Sequence, residues 1–133
     1  MALGEKLAGA IIGGAATLPP ALLAEYPMLS GVHFRRGGLP PRIGGWLLAR
    51  HSVAAITLWN TVWLAPAAPF SAELLLHELR HVHQFQSVAA FPVRYLWESI
   101  RRGYSRNRFE VDARRYAAHM ARRNGLVPPG KDA

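Results

Sequence analysis

Cysteine is absent from all 133 residues, so no disulfide and no thiolate metal site can form, and any bound metal must be met by His, Asp or Glu. That absence leaves the redox compartment open. Acidic residues are scarce, eight against sixteen Lys plus Arg, which gives a formal net charge of +8. Repeats and low-complexity tracts are also missing, and half of the chain is hydrophobic, which excludes a disordered polymer. The length supports one buried core and is too short for two, so residues 1–133 are expected to form a single domain. An unbroken long apolar run is lacking as well. The most apolar stretch, residues 7–24 (LAGAIIGGAATLPPALLA), is about long enough to cross a bilayer, but Gly13-Gly14 and Pro19-Pro20 interrupt it. This apolar N-terminal segment (1–24) is read as a helix packed on the domain. A removed signal or a membrane anchor is the alternative, against which stand the weakly basic start MALGEK and only an Ala15-Ala16 pair as a cleavage-like site. A cytoplasmic protein is expected, with secretion or membrane anchoring through 7–24 as the other outcomes.

The positive charge is carried almost wholly by arginine, and nine of the basic residues lie between Arg94 and Arg123. Such a stripe can attract nucleic acid, anionic lipid or an acidic protein, or it can be a solvated helix face. No recognition-helix or aromatic-interleaved pattern accompanies it.

Residues 77–81 read His-Glu-Leu-Arg-His, an HExxH pattern inside the periodic apolar run 71–90. On a helix, residues four apart stand one above the other, so His77 and His81 present imidazoles at a separation that one tetrahedral Zn²⁺ can bridge. Glu78 sits one position round, beside the metal, where a carboxylate can act as general base toward a water. HExxH arises by chance in about one chain of this size in a few hundred, so the surrounding elements decide its meaning.

Those elements predict an α+β, mostly helical fold with a short β-hairpin beside the HExxH helix. The residues from Glu25 to Gly45 are crowded with Gly and Pro and read as an irregular connection, with His33 at the surface. From Ala54 to Leu64, β-formers flank Asn60-Thr61, which can turn the chain. An edge strand next to a metal helix can pair with an extended peptide. Ser71 is placed to cap the metal helix, with Leu74, Leu75, Leu79 and Val82 as its packing face. Pro92 opens a connecting helix that runs to Arg102, with Tyr95, Leu96 and Ile100 expected to be buried. Asn107 caps a last helix that Gly125 stops. Residues 54–124 are thus the expected core of the metal site.

A catalytic zinc needs a third protein ligand and an open position. His83 points away from the His77–His81 face, and His33, His51 and His119 are further candidates. Gln84, seven residues after His77, returns to that face and can bond a ligand or substrate. Glu110 is the preferred ligand, because small Ala113 and Ala117 beneath it allow close approach of its helix, and Asp112 is the reserve. Asn107 and Glu110 also have capping-box spacing, which alone would account for both.

The combination of HELRHVHQ with Tyr104 and Asn107-Arg108-Phe109-Glu110-Val111-Asp112-Ala113 resembles the HExxH plus N-x-x-E-x-x-A arrangement of gluzincin-type zinc metallopeptidases. AITLWNTVWL resembles the strand that borders the cleft in small zincin-like domains, including metallopeptidase domains associated with contractile injection systems. The resemblance covers residues 54–117. It implies a minimal zincin-like domain in which His77, His81 and Glu110 bind zinc and Glu78 is the general base. Arg80, between Glu78 and the second His, and His83 depart from the usual uncharged or apolar residues. The function so predicted is hydrolysis of peptide bonds in a peptide or protein substrate. Tyr104 or Tyr116 is expected to stabilise the oxyanion, and Asn107 and Gln84 to support the site. Zn²⁺ is the expected cofactor, with Mn²⁺ or Fe²⁺ fitting a two-His, one-Glu set less well. The rival prediction is a non-catalytic basic interaction domain that binds nucleic acid or an anionic surface.

Overall fold

The computed structural model describes residues 2–38, 40 and 54–123. They form an α+β, mostly helical fold: α1 (Ala2–Ile12), β1 (Gly14–Ala15), α2 (Pro20–Glu25), a 3₁₀ turn (Pro27–Gly31), β2 (His33–Arg36), β3 (Ala55–Leu58), β4 (Thr61–Leu64), α3 (Ala72–Ser87), α4 (Phe91–Arg102), a 3₁₀ turn (Tyr104–Arg106) and α5 (Arg108–Arg123). The predicted positions His51, Gly44, Gly45 and Gly125 lie outside the described residues.

The strands form one sheet in the order β1-β2-β4-β3. β3 and β4 are the expected hairpin, with Leu58 opposite Thr61. The turn is therefore Trp59-Asn60, one residue earlier than predicted, and Trp59 takes a left-handed φ of 54°, as tight hairpin loops demand to match strand twist. The expectation of an irregular connection from Glu25 to Gly45 is corrected: Pro27–Gly31 is a 3₁₀ turn, and β2 pairs in parallel with β4 from His33↔Thr61 to Arg36↔Leu64. Turn formers on both sides conceal this four-residue strand. Its arginines tie the fold together. Arg35 donates to the carbonyls of Ile12 and Gly13, and Arg36 to those of Ala65, Pro66 and Ala68.

The apolar stretch 7–24 is divided among three elements. Gly13 stops α1 with a φ of 70°, and a Cβ there would lie 2.5 Å from the Arg36 carbonyl oxygen, so only glycine allows the two backbones to meet. Leu18 is buried and Leu22 and Leu23 pack on the core, but Leu3, Leu7, Ile11 and Ile12 of α1 are exposed. The packed-helix expectation thus applies to the second half of the segment only. No helix among the described residues is long and apolar enough to cross a membrane.

The core lies between the sheet and α3. Val62 and Leu64 of β4 meet Leu75, Leu76, Leu79 and Val82 of α3, with Tyr26, Leu29 and Phe34 closing the other side. Ser71 caps α3 as predicted, its Oγ accepting from Leu74 N at 3.1 Å. α5 crosses α3 through buried Ala113, Ala117 and Ala121, small residues three or four positions apart that admit a neighbouring helix closely. α4 begins after Ala90, a left-handed residue with φ 54°, and stops at Gly103 with φ 79°. Its inward face is Phe91, half-buried Tyr95 and buried Glu98, whereas Leu96 and Ile100 are exposed. The prediction that those two leave water is corrected, because the helix turns its polar residues toward the site and its aliphatic ones outward.

Candidate metal centre

One turn of α3 sets His77 over His81, with ring centroids 4.9 Å apart. Their ring nitrogens and a carboxylate oxygen of Glu78 lie within 4.8 Å of one another, a cluster that can hold a metal ion. Both imidazoles point toward α5. There the Glu110 carboxylate faces both rings: His77 Nε2 bonds its Oε2 at 2.9 Å, and His81 Nε2 stands 3.1 Å from its Oε1. Two ligand atoms each about 2.1 Å from a tetrahedral ion stand roughly 3.4 Å apart, somewhat more than the 2.9 and 3.1 Å that separate the two Glu110 oxygens from the histidine nitrogens. Their N and O donors, without sulfur, fit zinc.

Glu110 is drawn into the site rather than back to its own helix end. The Asn107 backbone N–H bonds the Tyr104 carbonyl, and Asn107 Oδ1 accepts from Phe109 N at 2.9 Å. Asn107 thus caps α5 without Glu110, which disposes of the capping box. Fully buried, Asn107 also donates through Nδ2 to the Tyr95 carbonyl and the Ser99 hydroxyl, fastening α5 to α4.

Around this centre Glu78, Gln84 and Asp112 are each held by a second polar group. Glu78 Oε2 accepts from Thr57 Oγ1 of β3 at 2.7 Å, which attaches the edge strand to the metal helix. Gln84 Nε2 donates to the Phe109 carbonyl at 3.0 Å and to Asp112 Oδ2 at 2.9 Å. Both partners are acceptors, so the amide orientation is fixed and Gln84 Oε1 must receive the hydrogen of His81 Nδ1, 2.7 Å away. Nε2, which faces Glu110, is thereby the His81 nitrogen that can coordinate a metal in place of its proton, the usual way a ligand imidazole is oriented. Asp112 is braced in turn by Arg80, whose Nε lies 2.7 Å from Oδ2. The unusual Arg80 thus supports the network from behind, while its guanidinium lies over the Tyr116 ring. Asp112 does not reach the histidines, so the reserve-ligand expectation is corrected: its carboxylate serves Arg80 and Gln84.

Tyr95 is the site residue that sequence reasoning missed. Its hydroxyl donates to Glu110 Oε1 at 2.6 Å, and burial followed by the Glu110 charge pushes the phenol well above the usual range. Tyr116 instead packs against His83 and Arg80, and Tyr104 begins the 3₁₀ turn before α5. His83 is turned away as predicted, and His33 and His119 are exposed.

The electrostatics are those of an ion pair held in a dry place. Burial alone would lower the His81 pKa, but the hydrogen bond to Glu110 and the charges of Glu78 and Glu110 raise it to about 9. Burial would raise Glu110, and the hydrogen bonds from His77 and His81 overcome it and hold the carboxyl well below the usual range. A positive ion is thus favoured between these groups, whether a proton or a metal. A separate cleft of about 440 Å³ opens behind Gln84, lined by Arg80, Arg94, Arg108 and Asp112 and by none of His77, Glu78, His81 or Glu110. No family model matches the chain, and no curated protein or solved structure is significantly similar to it, so what the site can do rests on its own geometry.

Proposed function

We propose that the protein is a small zinc-dependent metallopeptidase in which His77, His81 and Glu110 hold the metal and Glu78 is the general base. One observation carries this reading: a buried carboxylate on a second helix faces Nε2 of both HExxH histidines. Zinc bound there supplies a Lewis acid that acidifies a water and polarises a peptide carbonyl. Glu78 would take a proton from an attacking water and pass it to the departing amide nitrogen, and Thr57 keeps its carboxylate in line by holding Oε2. Gln84 holds the His81 ring in the coordinating tautomer, and Tyr95 fixes the plane of Glu110. Among the described residues β3 pairs only with β4, so its outer edge offers backbone groups on which an extended peptide can add as a strand.

Metal analysis and peptide hydrolysis on the purified protein test the reading. Wild type should carry one zinc, Glu110→Ala should lose it, and Glu78→Gln should keep zinc and lose turnover. Unchanged zinc in Glu110→Ala removes the third ligand, and equal hydrolysis by Glu78→Gln removes the mechanism. Stoichiometric zinc with no hydrolysis of any peptide would favour the non-catalytic interaction domain, which predicts salt-sensitive binding of nucleic acid through the arginines of 94–123.

A further inference from the structure

α4 has two faces of opposite character. Phe91, Tyr95 and Glu98 turn inward, whereas Val93, Leu96, Trp97 and Ile100 are 70%, 53%, 59% and 71% exposed. These four stand at i, i+3, i+4 and i+7, so at about 100° per residue they form one continuous ridge along the helix. Four large apolar side chains in contiguous exposure mark a contact surface, unlike scattered surface leucines. Arg94 and Arg101, seven residues apart, stand together on one flank of the ridge and make no ion pair among the described residues. The one acid of the helix, Glu98, faces inward and is engaged by Arg102 and Arg108.

We infer that α4 docks the protein on an anionic lipid surface, with Val93, Leu96, Trp97 and Ile100 entering the headgroup boundary and Arg94 and Arg101 meeting lipid phosphates. An apolar stripe with a tryptophan at its centre and arginines beside it is the pattern of helices that lie in the membrane interface. The charge points the same way. At +8 the chain repels a second copy of itself and is attracted to a negative surface. Nucleic acid would use the arginines but leave the aliphatic ridge without a partner. The inference does not depend on the peptidase reading, because Tyr95 reaches Glu110 from the opposite face of α4.

Sedimentation of the full-length protein with phosphatidylglycerol-rich and with pure phosphatidylcholine vesicles is the test, read together with tryptophan emission. Trp97→Phe assigns the Trp97 contribution. Binding to the anionic vesicles with a blue shift in Trp97 emission is expected, falling several-fold in high salt. Leu96→Ser with Ile100→Ser should weaken it by about tenfold or more, while an Arg114→Ala control should bind nearly as wild type. Both ridge positions face water, so circular dichroism and the melting temperature of the double variant should be unchanged. Equal binding to both vesicle types, no binding, or undiminished binding of the double variant overturns the proposal. So does a Trp97 emission already at the buried position in buffer, or a dimer in analytical ultracentrifugation that the double variant dissolves. Each would mean that protein covers the ridge.

Discussion

Replacing Glu110 by Ala in chelator-treated protein tests the electrostatics of the centre without involving catalysis. In the metal-free protein the hydrogen bond and charge of this carboxylate, together with the Glu78 charge and the Gln84 hydrogen bond, raise His81 from 6.5 to about 9 against the opposing effect of burial. At 1.36 kcal/mol per unit, that rise corresponds to about 3 kcal/mol of native-state stability. Because the folded value is the higher one, the contribution is fully present below pH 6.5 and is lost as pH rises through 9. Glu110 itself is shifted downward, so its share of the same ion pair is present above its ordinary range of about 4.5 and is lost only on acidification. Both expected measuring points, pH 6 and pH 9.5, lie above that loss. In Glu110→Ala the burial of His81 persists while the hydrogen bond that raises it most is gone, so the imidazole holds its proton less tightly. The stability difference between wild type and variant should therefore be larger at pH 6 than at pH 9.5, by up to about 3 kcal/mol. A further cost of about 1–3 kcal/mol, from the Tyr95 hydroxyl losing its acceptor, should appear at both. Urea unfolding in EDTA, followed by circular dichroism at the two pH values, measures the difference. A difference independent of pH, or larger at pH 9.5, would show that His81 and Glu110 do not share a proton in a dry pair and would refute the reasoning.

Three further outcomes follow from the same contacts. Zinc at a thousandfold over its Kd should stabilise the protein by about 4 kcal/mol, roughly 12–20 °C in melting temperature for a chain of this size; a differential scanning fluorimetry shift that survives His81→Ala would place the ion elsewhere. Gln84→Leu removes the acceptor that selects the Nδ1–H form of His81, and zinc affinity by chelator competition should fall about 10- to 100-fold. Unchanged affinity would mean that the ring keeps its tautomer without Gln84. Thr57→Val keeps shape but frees Glu78 Oε2, so kcat should drop by about tenfold or more while zinc content stays constant; a loss of zinc instead would make Glu78 a ligand rather than a base.

What could be read from the sequence was what a single helix dictates. His77, Glu78 and His81 are fixed relative to one another by helical geometry, and the seven-residue return of Gln84 to the same face is of the same kind. Glu110 was accessible one step further on, through the small residues Ala113 and Ala117 that bring α5 against α3. The role of Arg80 was not, since its reason is Asp112, 32 residues away. β2 was hidden because a parallel pairing joins His33–Arg36 to Thr61–Leu64 across the chain, and no local pattern in a four-residue strand announces such a partner. The inward side of Tyr95 was legible but its bond to Glu110 was hidden, for a more instructive reason. Periodicity in α4 identifies an apolar arc, and the hydrophobic effect suggests that this arc faces inward. The helix does the reverse, because Glu98 must meet the start of α5 and Tyr95 must meet Glu110. Two buried polar contacts thus outrank four aliphatic and aromatic side chains in setting its rotation. A helix rotated in that way leaves its apolar residues in water unless something else covers them, so the exposure of Leu96 and Ile100 and the ridge on α4 are one physical fact: the same polar contacts that brace the candidate metal centre turn a hydrophobic surface outward.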